Sequence, residues 1–198
     1  MSSPDLVRPE FHHIAAQVAP HSHVLDLGCG DGALLAMLAV ARHTTGYGVD
    51  LDDANVAAAL QQGVNVIQSD LESGLSTFAS HSFDYVLLSH TIQSIHNVEG
   101  ILVEMARVGR ECIVSVPNFG FWENRRQVMM GKMPVSRQIP YAWYNTPNIH
   151  LCTLNDFAAL LAKLGFQTLE ERVLHQGKAI RWGRNWRGSV AMFRFKGQ

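Results

Sequence analysis

The sequence predicts one α/β domain built around a mostly parallel β-sheet. Short apolar runs that look like buried strands alternate with helix-forming stretches, an order typical of right-handed βαβ units. The length of 198 residues suits one compact domain spanning residues 1–198 and leaves little room for two. Hydrophobic residues make up 47% of the chain and charged residues 17%, which argues against a disordered chain.

Glycine and acidic residues mark the boundaries between the predicted elements. The first buried run ends in glycines and leads directly into helix formers, and the pattern then repeats along the chain. The predicted strands are Ser22–Gly28, Thr45–Asp50, Val64–Ile67, Phe83–Ser89, Glu111–Val116, Phe166–Val173 and Ser189–Phe195. The predicted helices are Asp5–Val18, Asp31–Val40, Asp52–Gln62, Val98–Val108 and Leu154–Leu164.

The regular alternation stops after Pro117. Residues 118–152 show no clean period, which indicates an irregular insertion with one short helix. Residues 175–188 form a basic, glycine-rich connection. We expect the last two strands to pair antiparallel as a terminal hairpin.

The apolar segments and the cysteines indicate the compartment in which the protein is expected. The longest apolar stretch, Ala33–Ala41, has about half the length of a membrane span, so no transmembrane segment is expected. Cys29, Cys112 and Cys152 are odd in number and lack CxxC spacing. We expect them to be reduced thiols in a cytoplasmic protein.

Charge is divided between the two halves of the chain. Residues 1–100 carry two basic residues against eleven acids, and residues 101–198 carry fourteen basic residues against six acids. The net charges of −9 and +8 indicate two different faces. Such a division argues against a uniformly basic nucleic-acid binder.

The stretch Val24–Gly32 carries the strongest functional signal. A glycine turn after a buried strand lets a ligand approach the backbone, and the following helix start offers free N–H groups. The spacing is GxGxG, and Asp26 and Asp31 flank the turn, where carboxylates would repel the pyrophosphate of a dinucleotide. A cationic ligand fits better, and S-adenosylmethionine has sulfonium and ammonium groups.

Two further acids follow predicted strands. Asp50 ends the second strand 20 residues after Gly30, where a carboxylate accepts hydrogen bonds from ribose hydroxyls. Asp70 follows the third strand, where it either accepts the adenine amino group or forms a turn. We assign cofactor binding to Asp26, Gly28, Cys29, Gly30, Asp50, Leu51, Asp70, Leu71 and Ser89.

The acidic glycine turn, Asp50 and Asp70 together resemble the class I S-adenosylmethionine-dependent methyltransferases over roughly residues 20–118. This resemblance implies a Rossmann-like, mostly parallel seven-stranded sheet with a terminal antiparallel hairpin. It also implies S-adenosylmethionine or S-adenosylhomocysteine as the cofactor.

Five segments that span nearly the whole chain resemble the MetW family of methionine-biosynthesis proteins. They are Val24–Gly32, Gly63–Gln68, Met105–Glu111, Val116–Gly120 and Tyr144–His150. The resemblance implies a role beside a homoserine O-acyltransferase, with which family members are encoded and thought to act. Two functions stay open: an accessory protein of that enzyme, or a stand-alone methyltransferase acting on a small molecule.

No signature for a particular methyl acceptor is present, so the catalytic residues stay unassigned. His90, His96 and His150 are the candidates for a general base, although each alone is more typical of a structural histidine. The ten histidines show no ligand spacing with cysteines or carboxylates, and we expect no metal site.

Two aromatic stretches have alternative interpretations. The cluster in the insertion is either a small core under the loop or a lid or docking surface, and it consists of Tyr141, Trp143, Tyr144, Asn145, Asn148 and His150. The basic stretch fits a solvated loop or a contact with an acidic protein better than an RNA site. It consists of Lys178, Arg181, Arg184 and Arg187 with Trp182 and Trp186.

Overall fold

The computed structural model describes residues 8–197 and has an eight-stranded sheet at its centre. The strands are β1 (His23–Leu27), β2 (Thr45–Asp50), β3 (Val66–Gln68), β4 (Phe83–Ser89), β5 (Gly109–Pro117), β6 (Gln167–His175), β7 (Lys178–Ala179) and β8 (Val190–Lys196). The helices are α1 (Pro9–Ala15), α2 (Ala33–Arg42), α3 (Asp53–Gln61), α4 (Val98–Val108), α5 (Trp122–Met129), α6 (Leu154–Lys163) and α7 (Arg184–Arg187). Two single turns of 3₁₀ helix cover Leu71–Ser73 and Ile92–Ser94.

The sheet order is β3-β2-β1-β4-β5-β8-β6-β7, and the first five strands in that order pair in parallel. This arrangement confirms the predicted α/β class with its largely parallel sheet. The chain winds outward from β1 to β3 and then returns to β4 on the other side of β1. Ligands bind beyond the carboxyl ends of the strands at such a reversal point. The end of β1 and the end of β4 flank that position here.

The sheet has eight strands where the sequence predicts seven. The extra strand is β7, which pairs with the end of β6 through Leu174↔Ala179 and His175↔Lys178. Gln176 and Gly177 between them have φ values of 49° and 76°, and two positive φ angles are typical of a type I′ hairpin turn. The predicted connection at residues 175–188 therefore begins as a hairpin.

The predicted antiparallel pairing of the last two long strands is confirmed. β6 pairs with β8 from Gln167↔Lys196 to Leu174↔Val190. β8 lies between β5 and β6 and is antiparallel to both. The carboxyl-terminal part of the sheet is thus antiparallel, whereas the part that carries the glycine turn is parallel.

Helices cover both faces of the sheet. α4 and α6 pack on one face against alternate residues of the central strands, such as Leu25, Leu27 and Leu88. α1 and α2 pack on the other face, against Val24 and Leu87. Because successive strand side chains point to opposite faces, a strand buried on both sides is apolar throughout. β1 departs from this pattern at one position, Asp26.

Most predicted boundaries lie within two residues of the observed ones. The helix predicted from Asp31 begins at Ala33 because Gly32 adopts a left-handed φ of 80°. The Asp5–Val7 part of the first predicted helix lies outside the described residues. The insertion contains α5 as its short helix, and no further helix or strand follows before α6.

The buried amide of Asn118 fastens the start of the insertion to the segment before β8. Its Nδ2 donates to the carbonyl oxygens of Asn185 (3.0 Å) and Gly188 (2.7 Å). Its Oδ1 accepts from the backbone N–H of Gly120 at 2.9 Å. The residue is 1% exposed, so these groups have no access to water as a replacement partner.

We expect Asn118→Ala to lower the free energy of unfolding by about 2–4 kcal/mol, because it leaves buried carbonyl and N–H groups unpaired. Urea titration followed by circular dichroism measures the loss. Asn145→Ala is the matched control, since Asn145 is an exposed amide in the same insertion; its effect should stay within about 0.5 kcal/mol. Equal losses of unfolding free energy in the two variants would contradict a stabilising role for the Asn118 hydrogen bonds.

Candidate functional site

A turn of three glycines connects β1 to α2. Gly28, Gly30 and Gly32 have φ values of 68°, 57° and 80°, a region that residues with a Cβ rarely adopt. The backbone N–H groups of Gly28 and Cys29 both donate to the carbonyl oxygen of Val49, at 2.7 and 3.1 Å. A Cβ built on Gly30 would meet no atom within 4 Å. The turn is thus held to β2 on one side and open on the other.

Cys29 packs against β2 at a place where only glycine fits. A Cβ on Gly48 would overlap the Cys29 side chain, so the small residue in β2 allows the turn to lie close. Burial, followed by the charges of Asp26 and Asp50, raises the pKa of the Cys29 thiol to about 12. The thiol therefore stays protonated, and Cys29 contributes its backbone and shape to the turn.

Asp50 joins the end of β2 to the glycine turn. Its Oδ2 accepts from the Gly30 N–H at 2.8 Å. Its Oδ1 accepts from the Asp52 N–H at 3.0 Å and from Asn55 Nδ2 at 3.2 Å. Three donors therefore hold the carboxylate in place.

Asp26 is a buried carboxylate that few groups of the protein stabilise. It is 2% exposed, and its Oδ1 has no hydrogen-bond partner among residues 8–197. Burial, followed by the nearby charge of Asp50, raises the pKa of this carboxyl to about 7, whereas Arg8 acts in the opposite direction. A cation beside Asp26 would favour its ionised form.

These residues surround a cavity of about 460 Å³, here called the glycine-turn cavity. Five of the nine predicted cofactor residues line it, namely Asp26, Gly28, Cys29, Gly30 and Ser89. Asp50 reaches it indirectly, because its partners Gly30 and Asn55 are both in the wall. The structure thus places these predicted residues close together, at the carboxyl ends of β1 and β4.

The other three predicted residues lie outside the lining of that cavity. Asp70 is exposed and accepts the Glu72 N–H at 2.9 Å, which is the turn-forming alternative. Leu51 is 62% exposed, and Leu71 packs against the core. The assignment of these three residues to an adenine ring stays a prediction.

Sequence reasoning missed Arg8, Phe11 and Asn55, which also line the glycine-turn cavity. Arg8 precedes α1, and that helix packs on α2 beside the turn. One signal was available, since Arg8 and Arg42 are the only basic residues in the first hundred positions. An isolated arginine in an acidic half of the chain is a candidate partner for a buried carboxylate.

The three candidate bases lie in two places. His90 follows β4, with its Nε2 3.0 Å from Glu10 Oε1 and both side chains 15% exposed. Burial raises the pKa of Glu10, but the hydrogen bond and charge of His90 outweigh burial and hold that pKa below its usual value. His96 and His150 lie together elsewhere, with His150 Nε2 3.3 Å from the His96 carbonyl oxygen. His90 is the candidate next to the glycine-turn cavity, since it follows Ser89.

The two aromatic stretches lie at the surface. Trp143 and Tyr144 are 71% and 74% exposed, so they do not form a small buried core. In the basic stretch, Arg184 lies 3.1 Å from Glu171 Oε2, and the Arg187 guanidinium lies 4.1 Å from the centre of the Trp182 ring. Part of the positive charge of the basic stretch is therefore engaged in contacts within the protein.

Residues 8–197 lack two features, a helix that could span a membrane and a side-chain cluster that could hold a metal ion. No helix in this part of the chain has both the length and the apolar character to cross a bilayer. Within the same residues, no group of three or more His, Cys, Asp or Glu side chains is arranged to hold a metal ion.

Asp26 predicts an unusual dependence of stability on pH. Its folded pKa lies above the ordinary value of 3.8, so the folded state binds the proton more tightly and stability falls as the pH rises from about 4 to about 7. The free energy of unfolding of Asp26→Asn, measured against that of the wild type, should rise by up to about 4 kcal/mol across that pH range. Urea titrations at several pH values measure the difference. Asp31→Asn, at an exposed carboxylate of the same cavity, should follow the wild type, and parallel curves for Asp26→Asn and wild type would refute the prediction.

Solved structures with low sequence identity share this fold. An S-adenosylmethionine-dependent methyltransferase from Archaeoglobus fulgidus is 15% identical, with a TM-score of 0.75 over 99% of this chain and 95% of that chain. Another from Mesorhizobium loti is 15% identical, with a TM-score of 0.73 over 96% of this chain and 99% of that chain. The fold is thus the Rossmann-like fold of these methyltransferases, as the sequence predicts.

Sequence comparison identifies the family. The bifunctional methionine biosynthesis protein MetXA/MetW of Rhodopirellula baltica is 39% identical over 160 residues, which cover 76% of this chain and 26% of that protein. The chain therefore spans about a quarter of the length of this curated relative. The family model described as methionine biosynthesis protein MetW matches residues 8–195. With nearly all its length matched, the chain belongs to the MetW family.

Proposed function

We propose that this protein binds S-adenosylmethionine or S-adenosylhomocysteine in the glycine-turn cavity and acts as an accessory protein of a homoserine O-acyltransferase in methionine biosynthesis. The observation that carries the cofactor proposal is the buried Asp26 carboxylate. Its Oδ1 lacks a partner among residues 8–197, and it lines a cavity beside a second carboxylate, Asp50. A cationic ligand offsets both charges, whereas a pyrophosphate adds to them.

The residues around the cavity fit this cofactor. Asp26 would face a cationic group, and the backbone of Gly28 to Gly30 would lie against the ligand. Asp50 would accept a ribose hydroxyl. Since a carboxylate has about four acceptor positions and three are taken, Asp50 has room for about one such bond. When bound, S-adenosylmethionine supplies a methyl group activated by the sulfonium.

Three observations support an accessory role. The chain belongs to the MetW family, and the Rhodopirellula baltica relative carries MetXA and MetW names on one protein. Eleven of the nineteen exposed large hydrophobic residues found among residues 8–197 lie between Trp122 and Leu151, and such a concentration is typical of a protein-binding surface. We propose that this surface contacts the acyltransferase.

The three unpaired cysteines suit a cytoplasmic protein.

A stand-alone methyltransferase acting on a small molecule is the second candidate. A further cavity of about 410 Å³ favours it, because that cavity contains His90 and shares Arg8 with the glycine-turn cavity. Methyl transfer depends mainly on holding donor and acceptor together, so the absence of an assigned base does not argue against this function.

We expect Asp50→Asn to weaken S-adenosylhomocysteine binding by about 10- to 100-fold, since it removes one charge-assisted hydrogen bond and one of the three carboxylates at the cavity, the others being Asp26 and Asp31. Isothermal titration calorimetry measures this change, and NAD should show no comparable affinity in the wild type. Asp53→Asn is the control, because Asp53 lies in the same strand-to-helix connection but outside the cavity lining. Unchanged binding in Asp50→Asn would remove the ribose assignment.

We expect the purified protein to form a complex with the homoserine O-acyltransferase of the same organism at micromolar concentration and low salt. Complementary charge speeds such an encounter and salt weakens it. Analytical ultracentrifugation with and without S-adenosylmethionine measures the complex, and an acyltransfer assay reports the effect on the enzyme.

A surface variant and its control locate the contact. Trp143→Ser removes an exposed aromatic of the insertion and should weaken the complex at least about 10-fold. Trp182→Ser removes an equally exposed tryptophan outside the insertion, 72% exposed against 71%, and should leave the complex intact. The absence of any complex, together with methyl transfer to a small molecule, would favour the stand-alone enzyme instead.

A further inference from the structure

A second cavity, here called the arginine cavity, lies next to the glycine-turn cavity. Five separate segments form it: the start of α1, the residues after β4, the insertion, the β6–β7 turn and the start of β8. Its volume of about 410 Å³ is that of a small-ligand site. Arg8 lines both cavities, and the neighbours Ser89 and His90 each line one.

Two arginines line this cavity without an acidic partner at salt-bridge distance among residues 8–197. Neither Arg8 nor Arg137 has a carboxylate oxygen within 4.0 Å among residues 8–197. Six of the sixteen Lys and Arg side chains have an acidic partner within 4.0 Å among residues 8–197, as in Arg107–Glu104 and Arg172–Glu170. Two guanidinium groups on different segments of the lining favour an anionic ligand in the cavity.

The remaining polar groups of the cavity are held in place. Glu10 Oε1 lies 3.0 Å from His90 Nε2, and the charge of Arg8 also helps to lower the Glu10 pKa. Gln93 Nε2 donates to the His90 carbonyl oxygen at 2.6 Å, and its Oε1 is buried without a partner among residues 8–197. The N–H groups of Ile149 and His150 both donate to the Gln93 carbonyl oxygen, which fastens the insertion to this wall.

We propose that the arginine cavity binds a small monocarboxylate, with its carboxylate held by Arg137 and Arg8. A planar guanidinium matches a carboxylate with two parallel hydrogen bonds. The Glu10 carboxylate in the same wall disfavours a dianion such as phosphate. The amide groups of Gln93, Gln138 and Asn148 offer hydrogen bonds to the uncharged end of the ligand.

The chemistry of the ligand is tested with a matched pair of small probes. We expect 4-hydroxybutyrate to bind the wild-type protein saturably, with a dissociation constant of about 0.1–10 mM by saturation-transfer NMR titration. 1,4-Butanediol, which has the same chain without the carboxylate, should not bind in that range. Equal binding of the diol, tighter binding of inorganic phosphate, or no saturable binding of 4-hydroxybutyrate would overturn the proposal.

The location of the site is tested with two variants of the insertion. Arg137→Gln should raise the dissociation constant of 4-hydroxybutyrate at least about 10-fold. Arg126→Gln, on α5 and outside the cavity lining, should leave it unchanged, and circular dichroism shows that both variants fold. Unchanged binding in Arg137→Gln would refute the site.

A competition experiment separates this proposal from the cofactor proposal. Saturating S-adenosylhomocysteine should leave 4-hydroxybutyrate bound, since the two ligands are assigned to different cavities. Displacement of 4-hydroxybutyrate would assign it to the glycine-turn cavity and overturn the second site. The calorimetric titration of S-adenosylhomocysteine itself succeeds or fails independently of the 4-hydroxybutyrate result.

Discussion

Two carboxylates at the carboxyl ends of neighbouring parallel strands impose the electrostatic constraint on which the site depends. Asp26 is buried within the sheet, and Asp50 lies at the end of the adjacent strand. The fold supplies Asp50 with three donors and leaves Asp26 Oδ1 without any among residues 8–197. A buried carboxylate without a partner lowers stability. We propose that ligand binding, and not folding, accounts for this buried carboxylate in β1, as is common where function opposes stability.

Local and periodic features of the site could be predicted from the sequence. The glycine turn, Asp26 and Asp50 follow from strand–turn–helix patterns, and parallel strands bring their carboxyl ends to one edge of the sheet. Composition marks Arg8 only as an isolated base in the acidic half of the chain. Its place beside Asp26 and the arginine cavity could not be predicted, since they depend on how α1 and the insertion pack against distant strands. The extra strand β7 was missed for another reason, because a two-residue strand leaves no periodic signal and depends on the turn at Gln176 and Gly177.

The insertion is fixed at two points and apolar on its outer surface. Asn118 holds its start to the segment before β8, and Gln93 holds its end through the N–H groups of Ile149 and His150. Between these points, Trp143 and Tyr144 are exposed. A segment anchored in this way loses little conformational entropy when another molecule covers it. Arg137 lies between these anchors and lines the arginine cavity, so the proposed partner and the proposed ligand would both contact this one segment.

Arg8 links the two cavities through electrostatics. Its charge favours the ionised form of Asp26, so Asp26 in turn attracts the guanidinium. A cation bound beside Asp26 weakens that attraction and leaves Arg8 free to pair with a carboxylate in the arginine cavity. The coupling is reciprocal, because each ligand changes the binding free energy of the other by the same amount. A cofactor can therefore regulate a partner only to the extent that its affinity differs between the free and the partner-bound protein.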